Sequence, residues 1–150
     1  VQSRPAILLI ALTAAATIAA CSDGDEPTAL TEAEYLAALD TICAATTAEL
    51  TGLPTPPEQI SVVDFASSAA LALSSEADEM RRLDAPADVD DDHRALVLNT
   101  DDQAAAWRQV AEDAAAGSTA FDTQRIGELT LGRNDLVTEM GADACVRDGL

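Results

Sequence analysis

Prolines and glycines divide residues 31–145 into four segments, and within each the apolar residues return every three or four positions. That is the α-helical period, and it lets each segment bury one face. The first segment opens on Thr31-Glu32-Ala33-Glu34, a capping box with Leu30 and Tyr35 placed as its hydrophobic staple. Leu36, Leu39, Cys43, Thr46, Leu50 and Leu53 form its stripe, which must stop before Pro54-Thr55-Pro56-Pro57. The second runs from Glu58 or Ser61 to Leu83 on Val62, Ala66, Ala69, Leu73, Ala77, Met80 and Leu83, and ends by Ala85 ahead of Pro86. The third spans Ala87 to Ala116, with Val89, Leu96, Thr100, Ala104, Trp107, Ala111 and Ala114 inward and Gly117 as its stop. The fourth starts after Ser118 or Thr119 and runs through Ile126, Leu129, Leu136 and Met140 to Gly141. Gly127 and Gly132 oppose it, each at about 1 kcal/mol.

Strand signals are scarce. Short connections between amphipathic helices imply antiparallel neighbours, so the predicted fold is all-α: an up-down bundle of about four helices. Aromatics are only 3% of the chain and the inward positions are mainly Ala, Leu and Val, which favours close helix approach.

The N-terminus is of another kind. One basic residue, Arg4, precedes an apolar run, Ala6–Ala20. A membrane-spanning helix needs about 20 apolar residues, so this run fits the apolar region of a secretory signal. It ends in Ile18-Ala19-Ala20-Cys21, and this order resembles the lipobox of bacterial lipoproteins. The resemblance implies that the Cys21 thiol receives a diacylglyceryl group and that the chain is cut just before it. An ordinary cut near Ala14-Ala15-Ala16, leaving Cys21 free, is the other reading of the same run. The lipobox reading gives a signal peptide over 1–20, a lipidated cysteine with an acidic tether over 21–30 and a helical domain over 31–150. One acyl chain holds a protein only marginally, at about 0.8 kcal/mol per buried methylene; two give a stable anchor. Residues 22–30 reach at most about 30 Å, so the domain would stand close to an extracytoplasmic membrane surface. The layout as a whole is similar to small lipoproteins of actinobacteria, which supply an architecture and no activity.

Lipidation would remove Cys21 from an odd set of three cysteines and leave Cys43 and Cys145. Exported chains meet oxidising conditions, so these two are expected to pair. They lack the Cys-x-x-Cys spacing of a redox pair. A bridge closing a loop of about 100 residues removes about 4.7 kcal/mol of unfolded-state freedom in the chain-entropy description.

Acidic residues number 27 against 8 basic, with no lysine and a formal net charge of −19. Such a surface repels phosphate backbones and excludes nucleic acid as a partner. It also repels anionic headgroups, which leaves lipid on Cys21 as the means of holding a membrane. Without lysine there is no Ser-Lys or Schiff-base chemistry and no P-loop. His93 is the sole histidine, so multi-histidine metal sites are excluded, and a Ser-His-acid triad would have to use it without a G-x-S-x-G motif. Serines in residues 65–76 fall on a helix and read as packing or surface residues. Trp107 lies on an inner stripe and reads as core. Asp88, Asp90 and Asp92 match the first half of an EF-hand loop, but His93 stands where the glycine is needed and Asn99 where the bidentate Glu is needed. Acidic residues in a first helical turn, favoured by the helix dipole, are the better reading, with Asp88, Asp90 and Asp92 kept as weak metal candidates.

No catalytic or cofactor-binding residue is therefore assigned, and no cofactor is expected. The expected role is a lipid-anchored, non-enzymatic binding or scaffolding module for a cationic or neutral envelope component. The alternative is a small-ligand or cation-binding lipoprotein associated with a transporter. A sizeable pocket between the helices with inward carboxylates would favour the alternative, and a solid core the first reading.

Overall fold

The computed structural model describes residues 30–57 and 60–147. The Ala6–Ala20 run, Cys21 and the tether up to residue 29 lie outside the described residues. The chain forms four α-helices, α1 (Glu32–Thr51), α2 (Val62–Met80), α3 (Asp90–Ala115) and α4 (Thr123–Glu139), followed by one 3₁₀ turn, Asp143–Cys145. No strand occurs among the described residues.

Local chemistry sets the ends. Thr31 Oγ1 accepts from the Glu34 amide at 3.3 Å while Glu34 Oε2 accepts from the Thr31 amide at 3.0 Å, which completes the capping box. Ser61 caps α2 by accepting from the Asp64 amide at 3.1 Å, so α2 takes the later of its two predicted starts. Asp122 caps α4 through the Arg125 amide at 3.1 Å. The fourth helix therefore begins several residues beyond Ser118–Thr119, because the aspartate offers the orphan amides a better acceptor. α3 begins at Asp90 and not Ala87; Val89 gives it no side-chain cap, and three aspartates fill its first turn. Gly117 and Gly141 end α3 and α4 with φ of 85° and 77°. The amides that follow, of Ser118 and Ala142, reach back to the carbonyls of Asp113 and Val137, the Schellman pattern that needs a left-handed residue.

The helices run up and down. Tyr35, near the start of α1, shares an apolar cluster with Met80 at the end of α2, Leu96 near the start of α3, and Val137 and Met140 at the end of α4. Leu50, Ala66, Trp107 and Ile126 meet at the other end. Between the two clusters each helix buries polar residues: Thr46, Glu76, Thr100 with Gln103, and Thr130 with Arg133. α2 and α3 pack most closely, through Ala66, Ala69, Ala70, Ala104 and Ala111. α1 flanks α2 and α4 flanks α3, but no Cα of α1 comes within 8 Å of α4. The strap of residues 142–147 fills that gap.

Two predicted stripes shift by one residue. On α1, Tyr35 is fully buried and Leu36 half-buried. On α4, Val137 is fully buried where Leu136 was expected. In both cases the residue in phase with the rest of the inner face wins the core, and the leucine beside it lies across the seam.

Candidate functional site

The most unusual side chains lie in the interior. The period of α2 places Glu76 between Leu73 and Met80, and the period of α4 places Arg133 between Leu129 and Val137. Glu76 and Arg133 have essentially no exposure. Glu76 Oε1 accepts from Arg133 Nη2 at 2.8 Å and from Arg147 Nη2 at 2.6 Å, so one carboxylate oxygen serves two guanidinium groups. Arg133 also donates through Nη1 to the Cys145 carbonyl, and its Nη2 lies 3.4 Å from Cys43 Sγ.

Cys43 and Cys145 are joined, with Cα atoms 5.0 Å apart. The bridge ties the strap to α1, as expected. Arg147 ties it to α2 through Glu76. Asn134 ties it to α4: its Oδ1 accepts from the Arg147 amide at 3.0 Å, and its Nδ2 donates to the Arg147 carbonyl at 2.8 Å. Six residues thereby fasten three helices.

Burial pulls the Arg133 guanidinium down to about 10; the adjacent Glu76 charge opposes the shift and Arg147 adds to it. Arg133 therefore stays protonated at neutral pH. Removing such groups from water costs several kcal/mol per ion, recovered only when each is paired and hydrogen-bonded. Here the pairing is uneven. Among the described residues, Glu76 Oε2, Arg133 Nε, and Arg147 Nε and Nη1 are buried without a protein partner.

A second buried polar pair lies at the other edge. The Tyr35 hydroxyl and His93 Nδ1 are 2.9 Å apart, and the two rings meet edge to face at 5.6 Å. Burial pushes the Tyr35 phenol up to about 12, reinforced by Asp92. Burial also holds His93 below its ordinary value, against the pull of Asp90. The imidazole is therefore neutral at pH 7. It forms the floor of a shallow groove of about 420 Å³ lined by Arg81, Leu83, Asp90, Arg94, Val97 and Leu98.

The other residues singled out from the sequence are dispersed. Cys21 lies outside the described residues. Asp88 is exposed in the turn before α3, and Asp90 and Asp91 hold Arg94 at 2.5 and 2.9 Å. Asp88, Asp90 and Asp92 thus serve a helix start and an arginine. Among the described residues no three His, Cys, Asp or Glu side chains converge as metal ligands. Trp107 is in the core, edge to face with Phe65 at 5.6 Å. Ser74 accepts from Arg108 at 3.0 Å on the surface. Among the described residues no helix is long and apolar enough to cross a membrane.

Sequence reasoning passed over Glu76, Arg133 and Arg147. A signal for the first two was present: each is a charged residue in register with an apolar stripe. Neither protein-family models, nor curated proteins, nor solved structures give a match to this chain.

Proposed function

We propose that this chain is a lipid-anchored envelope protein whose helical domain binds or scaffolds another component without chemistry of its own. The observation that carries this reading is how the interior polar groups are employed. The inward carboxylate, Glu76, is held by Arg133 and Arg147, and His93 is held by Tyr35. These groups close the fold, and the grooves along α2 and α3 are open and shallow. Small-ligand sites instead tend to enclose most of their ligand in a concave, largely apolar cavity. The small-ligand alternative would need Glu76 free to meet a cation, and two guanidinium groups oppose that. The acidic surface favours a cationic or neutral partner. The anchor itself rests on Ile18-Ala19-Ala20-Cys21.

Labelling with palmitate in the native host tests the anchor: the parent incorporates label and Cys21→Ala does not. Crosslinking in intact envelopes followed by recovery of the protein tests the binding role. Recovery with no enriched companion, neither another component nor a second copy, argues against it.

A further inference from the structure

The buried ion group between α2, α4 and the strap does not balance. Glu76 brings one negative charge, and Arg133 and Arg147 bring two positive ones. The Glu76 and Arg133 side chains have no exposure, and that of Arg147 is 5% exposed. One positive charge is therefore left over in the interior, and hydrogen-bonding capacity is left over with it. Arg133 spends Nη1 on the Cys145 carbonyl and Nη2 on Glu76, and Arg147 spends Nη2 on Glu76. Arg133 Nε, Arg147 Nε and Arg147 Nη1 are buried with no partner among the described residues.

Two guanidinium groups cannot satisfy one another, because each has only donors. The group requires an acceptor that also carries negative charge. We propose that Arg133 and Arg147 hold a small monovalent inorganic anion, of the size of chloride, on Arg133 Nε and on Arg147 Nε and Nη1. The inference is independent of the lipid anchor.

Charge sets the valence. One monovalent ion brings the group to zero, whereas a doubly charged sulfate or phosphate would leave a buried negative excess. Position sets the size. Each free nitrogen belongs to the same planar fork as an Nη2 that touches Glu76 Oε1, so the donors surround a space for an ion and not for an organic ligand. Glu76 Oε2 is the acceptor left without a partner. An anion does not serve it. A water donating one hydrogen to Oε2 and the other to the anion does, and it keeps the two negative charges apart.

The bundle is least tightly closed at this place. No Cα of α1 comes within 8 Å of α4, and the seam between them is the way in. The exterior works against the ion: a formal net charge of −19 lowers the anion concentration at the surface. The affinity is therefore modest, with half-saturation on the order of 10 mM.

The test is thermal unfolding of the purified full chain at fixed ionic strength, with sodium gluconate exchanged for sodium chloride or bromide. Gluconate screens surface charge equally and is too large for the site. At about 100 mM halide the folding equilibrium constant should rise about tenfold, a midpoint shift of about 5 °C that levels off as the site fills. Arg147→Met leaves Glu76 and Arg133 balanced and should abolish the dependence. Glu76→Gln raises the excess charge to two and should strengthen it. A role in packing alone would lower both midpoints without moving their halide dependence. Where either variant fails to fold, crystals of the parent grown in bromide decide, with an anomalous peak expected against Arg133 Nε and Arg147 Nη1. Equal midpoints in gluconate and halide overturn the proposal, and so does a water without bromide signal at that position. Bromide there without a halide-dependent midpoint is an adventitious ion only, and overturns it as well. Halide dependence that survives in Arg147→Met overturns the assignment to these arginines, and sulfate acting more strongly than chloride overturns the monovalent one.

Discussion

Arg133 Nη2 stands 2.8 Å from Glu76 Oε1, and neither side chain has any solvent exposure. Arg147 completes the group, so the middle of the bundle carries two positive charges on one negative. That arrangement is costly to break from one side. Removing one member of a buried ion group strands the others, at about 3–5 kcal/mol, whereas replacing the whole group with apolar side chains of similar size is often close to neutral. Glu76→Gln keeps the shape and removes the charge, so it is expected to lower the unfolding free energy by about 3–5 kcal/mol in urea titration. The triple change Glu76→Leu, Arg133→Met, Arg147→Met is expected to stay within about 2 kcal/mol of the parent. A Glu76→Gln protein with unchanged stability would show that the charge on Glu76 is unimportant.

How far the sequence foretold this arrangement differs between its parts. Helix positions followed from Leu39, Cys43, Thr46 and Leu50, and from Thr31 with Glu34, because period and capping are local. The Cys43–Cys145 bridge followed from counting thiols. Arg147 could not be anticipated: it lies on a six-residue strap with no period, and its burial depends on three helices already being in place. Glu76 and Arg133 were masked by the general rule that charges face solvent. Their phase beside Leu73 and Leu129 pointed inward, but partnership across 57 residues is a tertiary fact. The start of α4 was misplaced because Ser118, Thr119 and Asp122 all offer capping oxygens. Ser118 Oγ is instead engaged with Ala120 in a local turn.

The bridge should matter more than its single covalent bond suggests. α1 and α4 have no close backbone contact, and the strap between them is held at Cys145. In the chain-entropy description the bridge removes most freedom from the unfolded chain because the loop it closes is long. Cys43→Ala with Cys145→Ala is expected to cost about 2–5 kcal/mol. The urea midpoint of the double variant, against the oxidised parent, measures this. An unchanged midpoint would mean that Glu76, Arg147 and Asn134 hold the strap unaided.

Tyr35 is the only tyrosine in the chain, so its ionisation can be followed by near-ultraviolet absorbance without overlap. In the folded protein the midpoint is pushed up to about 12 from 10, chiefly by burial. In urea it should return to about 10. The folded state therefore holds the phenolic proton more tightly than the unfolded state, and stability falls as pH rises from about 10 towards 12. A folded midpoint near 10 would place Tyr35 in water.

His93 gives the opposite slope, on the acid side. Its folded value lies below the ordinary 6.5 because burial disfavours the charged ring. The unfolded chain then binds the proton more readily. The stability that His93 contributes is whole above about 6.5 and is lost as pH falls through the lowered folded value. Being the sole histidine, its ring protons in nuclear magnetic resonance report the titration directly. His93→Gln should flatten this part of the pH–stability profile; an unchanged slope in the variant would assign the effect to carboxylates.

Two glycines should respond to alanine with opposite signs. Gly127 lies inside α4 with nothing within 4 Å of an added Cβ and an ordinary helical backbone. Gly127→Ala therefore removes freedom from the unfolded chain without strain, and should stabilise by about 0.5–1 kcal/mol. Gly141 has equal space around it but a φ of +77°. An L-residue there pays about 1–2 kcal/mol for the left-handed backbone, and that backbone turns the chain from α4 into the strap through the Ala142 amide and Val137 carbonyl. Gly141→Ala should therefore destabilise by at least as much as Gly127→Ala stabilises. Thermal unfolding of both variants decides it. Two shifts of the same sign would show that the end of α4 does not depend on Gly141.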